Sequence, residues 1–359
     1  MTASVESVLS PTAVPSATTR PGTHIYSSAF DAGLLMLPLI AGGVAASMAI
    51  ANPLVFAPLL LADLWLLGYH HVVATYTRLA FDLQTFKSNR FLALDSLVVV
   101  TVATVALAFT AGAWVVASAF LYLQWFHYMR QGYGISRMFY RAAHADQSQS
   151  SGVPTRDWVT DLVIYLVPIY GIAQRSSTMG DRFLNMPVET LVLPRWLVLV
   201  LGATAAVAVG VWGLRVARDI VRGQCDAAHS IFVASHVLVF QLAYVMIDDV
   251  NVGWLAINVW HNLQYVMVVW MVNAKRYARG IDPSAWLLST ISQPGRVVLY
   301  FATCLTISTV IYLGLARVTP LLLGGGVAAA ISVYMGINFH HYIVDAVIWK
   351  RRRPAPQTA

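Results

Sequence analysis

Ten histidines stand in this 359-residue chain, and eight of them fall in long apolar stretches: His70, His71, His127, His229, His236, His261, His340 and His341. Only His24 and His144 lie in polar segments. An ionisable side chain in a membrane span is costly to bury, faces a bundle interior or a cavity, and marks a functional site by default. Neutral imidazole is a ligand for iron, copper, zinc and nickel, and carboxylates extend the choice to harder cations. His341 and Asp345 lie four residues apart, the spacing at which two helix side chains reach one ion. The eight histidines and Asp345 therefore form the candidate metal set. Eight imidazoles exceed what one four-coordinate ion uses, which predicts two ions or one ion with further histidines around it. Gly324-Gly325-Gly326 reads as a close-packed helix start and not as a phosphate loop, because no strand precedes it and no lysine follows.

Depth and helical face give these residues a common address. At ~1.5 Å per residue, His71 lies about 10 Å inside Arg78, His341 about 13 Å inside Lys350, and His127 about 15 Å inside Arg137. His229 opens its span from the same side, His236 is two turns deeper, and His261 lies about 20 Å from Lys275, where it is either the floor of such a site or no part of it. Residues at i, i+3, i+4 and i+7 share one side of a helix. One such side carries Asn338, His341 and Asp345; others carry Gln124, His127, Arg130 and Gln131, or Asn258, His261, Gln264 and Tyr265. The span around residue 70 offers two stripes, Asp63–His70–Thr77 and His71–Thr75–Arg78. A lone membrane histidine is often only a hydrogen-bond partner between helices. One polar stripe on each of several helices predicts a shared buried site. In the two His-His pairs, neighbours point ~100° apart, so one of each pair is expected to face another helix.

The elements that position these residues follow from composition. Hydrophobic residues make up 58%, charged residues 11%, and the mean hydropathy is +0.65. Soluble domains carry about 25% charged residues, and the apolar runs here reach the ~20 residues that a ~30 Å hydrocarbon core needs. The fold class is an all-α, polytopic membrane helix bundle, since each helix satisfies its own backbone in lipid. Ten spans are expected, near 32–51, 54–79, 91–112, 113–135, 157–173, 195–214, 228–247, 252–274, 297–316 and 319–349. The segment 157–173 is the shortest; it carries Asp161 and Pro168. Residues 1–28 read as a disordered cytoplasmic tail, 29–350 as the transmembrane domain and 351–359 as a basic cytoplasmic tail. Ala142–Arg156 reads as a flexible loop. Trp65, Trp125, Trp260 and Trp349 read as interfacial belt and packing. Cys225 and Cys304 offer neither a disulfide framework nor a thiolate metal site.

The net charge of +7 suggests nucleic acid only until the charges are placed. With the N-terminus inside, 19 of the 23 basic residues lie in inner segments, leaving Arg175, Arg182, Arg195 and Arg317 outside. That bias predicts cytoplasmic termini, in a bacterial inner membrane.

The run Asn338-Phe339-His340-His341-Tyr342, with the HH, H, H and HHYxxD arrangement around it, resembles two groups. One is the histidine-rich membrane di-iron enzymes, meaning the fatty-acid desaturases, alkane hydroxylases and sterol-type hydroxylases. The other is the Brp/Blh-type carotene dioxygenases, which hold iron by intramembrane histidines. The HxxxH and HxxHH boxes of the desaturases are absent from this chain. The resemblance implies iron and oxidative chemistry and assigns no residue a role.

The function expected is a membrane-bound, histidine-ligated metal oxidoreductase of oxygenase or desaturase type, with non-haem iron first among the metals. Its partners would be the lipid bilayer, a lipophilic or amphiphilic substrate, O₂ and a soluble electron donor, with no nucleic acid. Two alternatives have other signatures: a b-type haem electron-transfer protein with paired axial histidines, and an acyltransferase using His261 alone as general base. A transporter would show an internal repeat, and no clear one is present.

Overall fold

The computed structural model describes residues 24–144, 157–323 and 326–349. They are almost wholly helical: α1 (Ser28–Ala51), α2 (Phe56–Asp63), α3 (Tyr69–Ala80), α4 (Leu83–Ser88), α5 (Ser96–Thr110), α6 (Ala113–Ala143), α7 (Trp158–Thr178), α8 (Arg195–Val221), α9 (Ala227–Gln241), α10 (Val250–Arg276), α11 (Trp286–Ile291), α12 (Val297–Leu323) and α13 (Gly326–Ile348). A two-stranded antiparallel hairpin, β1 (Arg182–Phe183) and β2 (Met186–Pro187), turns through Leu184 and Asn185 at positive φ.

Seven helical segments are long and apolar enough to cross a membrane: Ser28–Ala51, Pro53–Ala80, Phe91–Thr110, Arg195–Val221, Ala227–Met246, Val250–Arg276 and Val297–Leu323. Of the ten segments expected to span, the other three coincide with α6, α7 and α13. Two of those helices bear His127 and His341. The tight turn expected at Ala111-Gly112 is there, with Gly112 at φ +105°, a value that an L side chain rarely adopts.

Two boundaries move. Ser27 caps α1 through its Oγ, which accepts from Phe30 N, and Asp31 accepts from Ile25 N and Tyr26 N. Ile25 is thereby buried, so the N-terminal tail cannot extend to residue 28. At the other boundary α6 runs to Ala143, so the expected loop from Ala142 begins later. The rest of that loop, residues 1–23, Gly324-Gly325 and the basic tail 351–359 lie outside the described residues.

Helix α10 is the hub. In its most apolar stretch 83% of the residues are buried, against 11% in Pro53–Ala80, so most other spans expose apolar side chains outward. Close approach to α10 requires small residues: a Cβ on Gly42 of α1 would lie 2.4 Å from the Ala256 carbonyl oxygen. Trp125 and Trp260 are fully buried in this core and serve packing, whereas Trp65 is exposed and donates to Thr309 Oγ1.

Three wide π-helical turns occur among the described residues, one of them at Leu242–Met246 after α9, and two bear on the site. Leu64–Gly68 separates α2 from α3, and Phe91–Asp95 precedes α5. Such turns absorb one extra residue and recur at functional sites. On a regular helix Asp63 and His71 would stand about 80° apart; the wide turn brings them to one face. In the second, the Leu92 carbonyl accepts from His340 Nε2 at 2.9 Å.

The basic ends of several helices meet. Arg78 of α3 lies over the Trp349 ring at 4.0 Å, and Arg276 of α10 bonds Asp82 at 2.5 Å just beyond α3. Burial pushes the Asp82 carboxyl up, but the Thr85 N–H and the Arg276 guanidinium outweigh it and hold its pKa below the ordinary value. A depressed carboxylate stabilises the fold above its unfolded pKa of ~3.9 and loses that contribution as pH falls through the folded value. Asp82→Asn should therefore lower the thermal midpoint of detergent-solubilised protein at pH 7. The gap to wild type should close below about pH 4. A constant gap across that range would show that the pair is not what the substitution disturbs.

Candidate metal centre

Three helices deliver the donors and a fourth backs them. His71 comes from α3, His127 from α6, and His341 with Asp345 from α13; α10 supplies His261 and the amides behind them. One ligand atom from each of His71, His127, His341 and Asp345 lies within 4.8 Å of the others, and all four residues are buried. His341 Nε2 sits 2.8 Å from His71 Nε2 and 3.3 Å from His127 Nε2. Nitrogens bound ~2.0–2.1 Å from one ion stand about 2.8–3.4 Å apart at octahedral or tetrahedral angles. The three imidazoles therefore converge at nearly the spacing of a shared ion, and the group could hold a metal.

Two of the donors, His71 and Asp345, are oriented from behind, whereas His341 Nδ1 has no hydrogen-bond partner. His71 Nδ1–H donates to Asn262 Oδ1 at 2.7 Å, which leaves Nε2 with its lone pair facing the other rings. A hydrogen bond of this kind on the far ring nitrogen fixes the tautomer of a metal-ligating histidine. Asn262 in turn donates to Asp63 Oδ1 (3.4 Å), and Asn258 Nδ2 donates to Asp63 Oδ2 (2.5 Å). Tyr128 donates to Asn258 Oδ1 at 2.5 Å. Asp345 Oδ1 accepts from Tyr265 at 2.5 Å and Thr75 at 3.4 Å, and the Trp349 side chain also bonds this carboxylate. Its Oδ2 is turned toward His127 and His341, 3.8 Å from the Nε2 of each. The carboxylate thus presents a single oxygen to the imidazoles.

The other candidates divide. His261 touches the cluster, with ring centroids 4.7 Å from His71 and 4.9 Å from His127. His70 packs edge-on against Phe301 of α12. His340 accepts from Tyr76 at 2.6 Å and meets Ser96 Oγ and the Leu92 carbonyl on its other side. His229 pairs with Ser136 at 2.9 Å near Asp226. His236 bonds the Ile164 carbonyl at 3.2 Å and fills the space beside Gly132, where a Cβ would lie 2.5 Å from its ring. In each His-His pair one ring enters the centre and the other serves packing, as the 100° offset requires. Of the two stripes open around residue 70, the one with His71 and Thr75 faces the site. Asp63, expected on the stripe with His70, is connected instead through Asn262 to His71.

A cavity of about 20 Å³ adjoins the cluster. His71, His127, His261 and His341 line it beside Asn262 and Tyr342, and Asp345 does not. This volume holds about one water-sized group. Asn262, which holds the His71 ring from behind, is outside the candidate set given by the histidines and Asp345. Its signal was present, since Asn258 and Asn262 lie one turn apart on the face shared with His261 and Tyr265.

No family model matches the chain, and neither a curated protein nor a solved structure does.

Proposed function

We propose that this protein is an integral-membrane, metal-dependent oxidoreductase whose centre is His71, His127, His341 and Asp345, with non-haem iron as its metal. The observation that carries the reading is a three-imidazole, one-carboxylate donor set beside a small cavity. Structural metal sites are closed by their ligands, whereas catalytic ones keep a position open for water or substrate. Mixed imidazole and carboxylate donors with open positions suit non-haem iron that works with O₂. When bound, the metal supplies the redox and Lewis-acid chemistry. Asn262 holds His71 in its ligating tautomer, Tyr265 and Thr75 hold Asp345, and the surrounding bundle excludes bulk water.

The site's place in the bundle supports a lipophilic or amphiphilic substrate entering from the bilayer, because a water-sized cavity admits only the small co-reactant. In this reading all ten long helical segments span, the basic helix ends near Arg78, Arg276 and Trp349 are cytoplasmic, and a soluble donor delivers electrons there. The haem reading fits less well. Axial imidazoles on one haem iron would place their nitrogens about 4 Å apart across the porphyrin, but His71 and His341 bring theirs to 2.8 Å. A lone-base acyltransferase fits less well too, since His261 contacts two other imidazoles of the cluster.

The test is metal content of the purified full-length protein together with its optical spectrum. We expect stoichiometric transition metal with no Soret band. A preparation without metal overturns the reading, and a Soret band with stoichiometric haem replaces it with the electron-transfer alternative.

A further inference from the structure

His261 poses a problem that the four-residue donor set does not answer. It is only 1% exposed, and neither Nδ1 nor Nε2 has a hydrogen-bond partner. A buried polar atom left without a partner costs about 1–3 kcal/mol, and lipid offers no water to relieve it. Its neighbours do not relieve it either. The Tyr128 ring lies 4.3 Å away, but the Tyr128 hydroxyl is committed to Asn258. The amide of Asn262, next in the chain, is spent on His71 and Asp63. His261 also stays outside the mutual 4.8 Å grouping of His71, His127, His341 and Asp345. What it does face is the cavity that the three ligand imidazoles line.

Resting on the reading of this cluster as a metal centre, we propose that His261 is the seat of a small exogenous ligand and not a ligand of the metal. A monatomic or short linear species, such as a water-derived anion or a diatomic, would occupy the cavity at the metal's open position and hydrogen-bond to the imidazole. The cavity's size sets the class, since about 20 Å³ accommodates one water-sized group and no organic substrate. Its chemistry agrees. Among the described residues no lysine or arginine lines it, so recognition falls to imidazole, amide and phenol groups. His261 is then a selectivity residue for the small co-reactant, placed on α10 so that it reaches the centre without joining it.

The experiment uses full-length protein in detergent, loaded with cobalt(II) as an optical probe of coordination and titrated with fluoride, a monatomic anion of about the size of water. Wild type should bind fluoride saturably, with a change in the visible cobalt bands. His261→Phe, which keeps the ring but cannot hydrogen-bond, should retain cobalt and bind fluoride about 10-fold or more weakly. His261→Gln, which keeps a polar end and loses the ring, should retain cobalt and recover part of the affinity. Loss of cobalt from both variants would make His261 a ligand and overturn the proposal. Unchanged fluoride affinity in a variant that keeps its cobalt would make it a packing residue, and wild type that binds cobalt but no fluoride also overturns it. Wild type that takes up no metal overturns the metal centre itself, a result distinct from the others.

Discussion

Replacing His341 or His127 by alanine should strip the transition metal from the purified protein while leaving a folded, membrane-inserted bundle. Each imidazole brings its Nε2 to within 3.3 Å of a second candidate ligand nitrogen, and His341 is the one shared by both close pairs. Losing a partner behind a ligand weakens metal affinity by ~10–100-fold, and losing the ligand itself should exceed that upper figure. A 100-fold loss corresponds to about 2.7 kcal/mol. Insertion should survive because the apolar spans that drive it are untouched. His340→Ala is the internal control: one position away, it removes a ring engaged with Tyr76, Ser96 and Leu92 and should leave metal content unchanged. Metal analysis of the three variants after size-exclusion chromatography reads the outcome. Full occupancy in both His341→Ala and His127→Ala would remove this cluster as the centre. Equal depletion in His340→Ala would point to general loss of structure.

Asn262→Leu should weaken metal binding by ~10–100-fold without abolishing it. The side chain is close to isosteric but cannot accept from His71 Nδ1–H, so the ring is free to turn and to carry its proton on Nε2. The substitution also leaves Asp63 with Asn258 as its remaining amide donor in a buried position. Competition with a chelator measures the shift in affinity. Asp63→Asn, one bond further from the ring, should give a smaller shift in the same direction. A larger effect from Asp63 than from Asn262 would mean that the carboxylate acts on the centre by a route other than the His71 hydrogen bond.

The order of these effects could be read only in part before the structure. The helical, membrane-type class and the placement of eight histidines in long apolar segments follow from the sequence because hydropathy is additive along a chain. A run of 20 apolar residues has few folded solutions in lipid. The pairing of His341 with Asp345 was legible for the same kind of reason, since four residues on a helix fix two side chains to one face whatever the helix packs against. The ten expected segments all correspond to helices, and among the described residues seven carry enough apolar character to span by length and composition. The polar stripe that makes α6 useful at the centre weakens its signal as a span.

The sequence could not select among the eight histidines. His70 and His71 are equally apolar in context, and so are His340 and His341; which of each pair faces inward depends on the rotation of its helix. That rotation is set by close contacts such as Gly336 of α13 against Thr101 of α5, and in α3 by the wide turn at Leu64–Gly68, which shifts Asp63 into line with His71. Nor could it show that Asn262 orients His71 across 191 residues, or that His261 reaches the cavity without joining the ligand group. Periodicity along one helix determines which residues share a face. Convergence of four faces on a point is a property of packing, and packing is decided by side chains far apart in the chain meeting at distances that only the assembled bundle fixes.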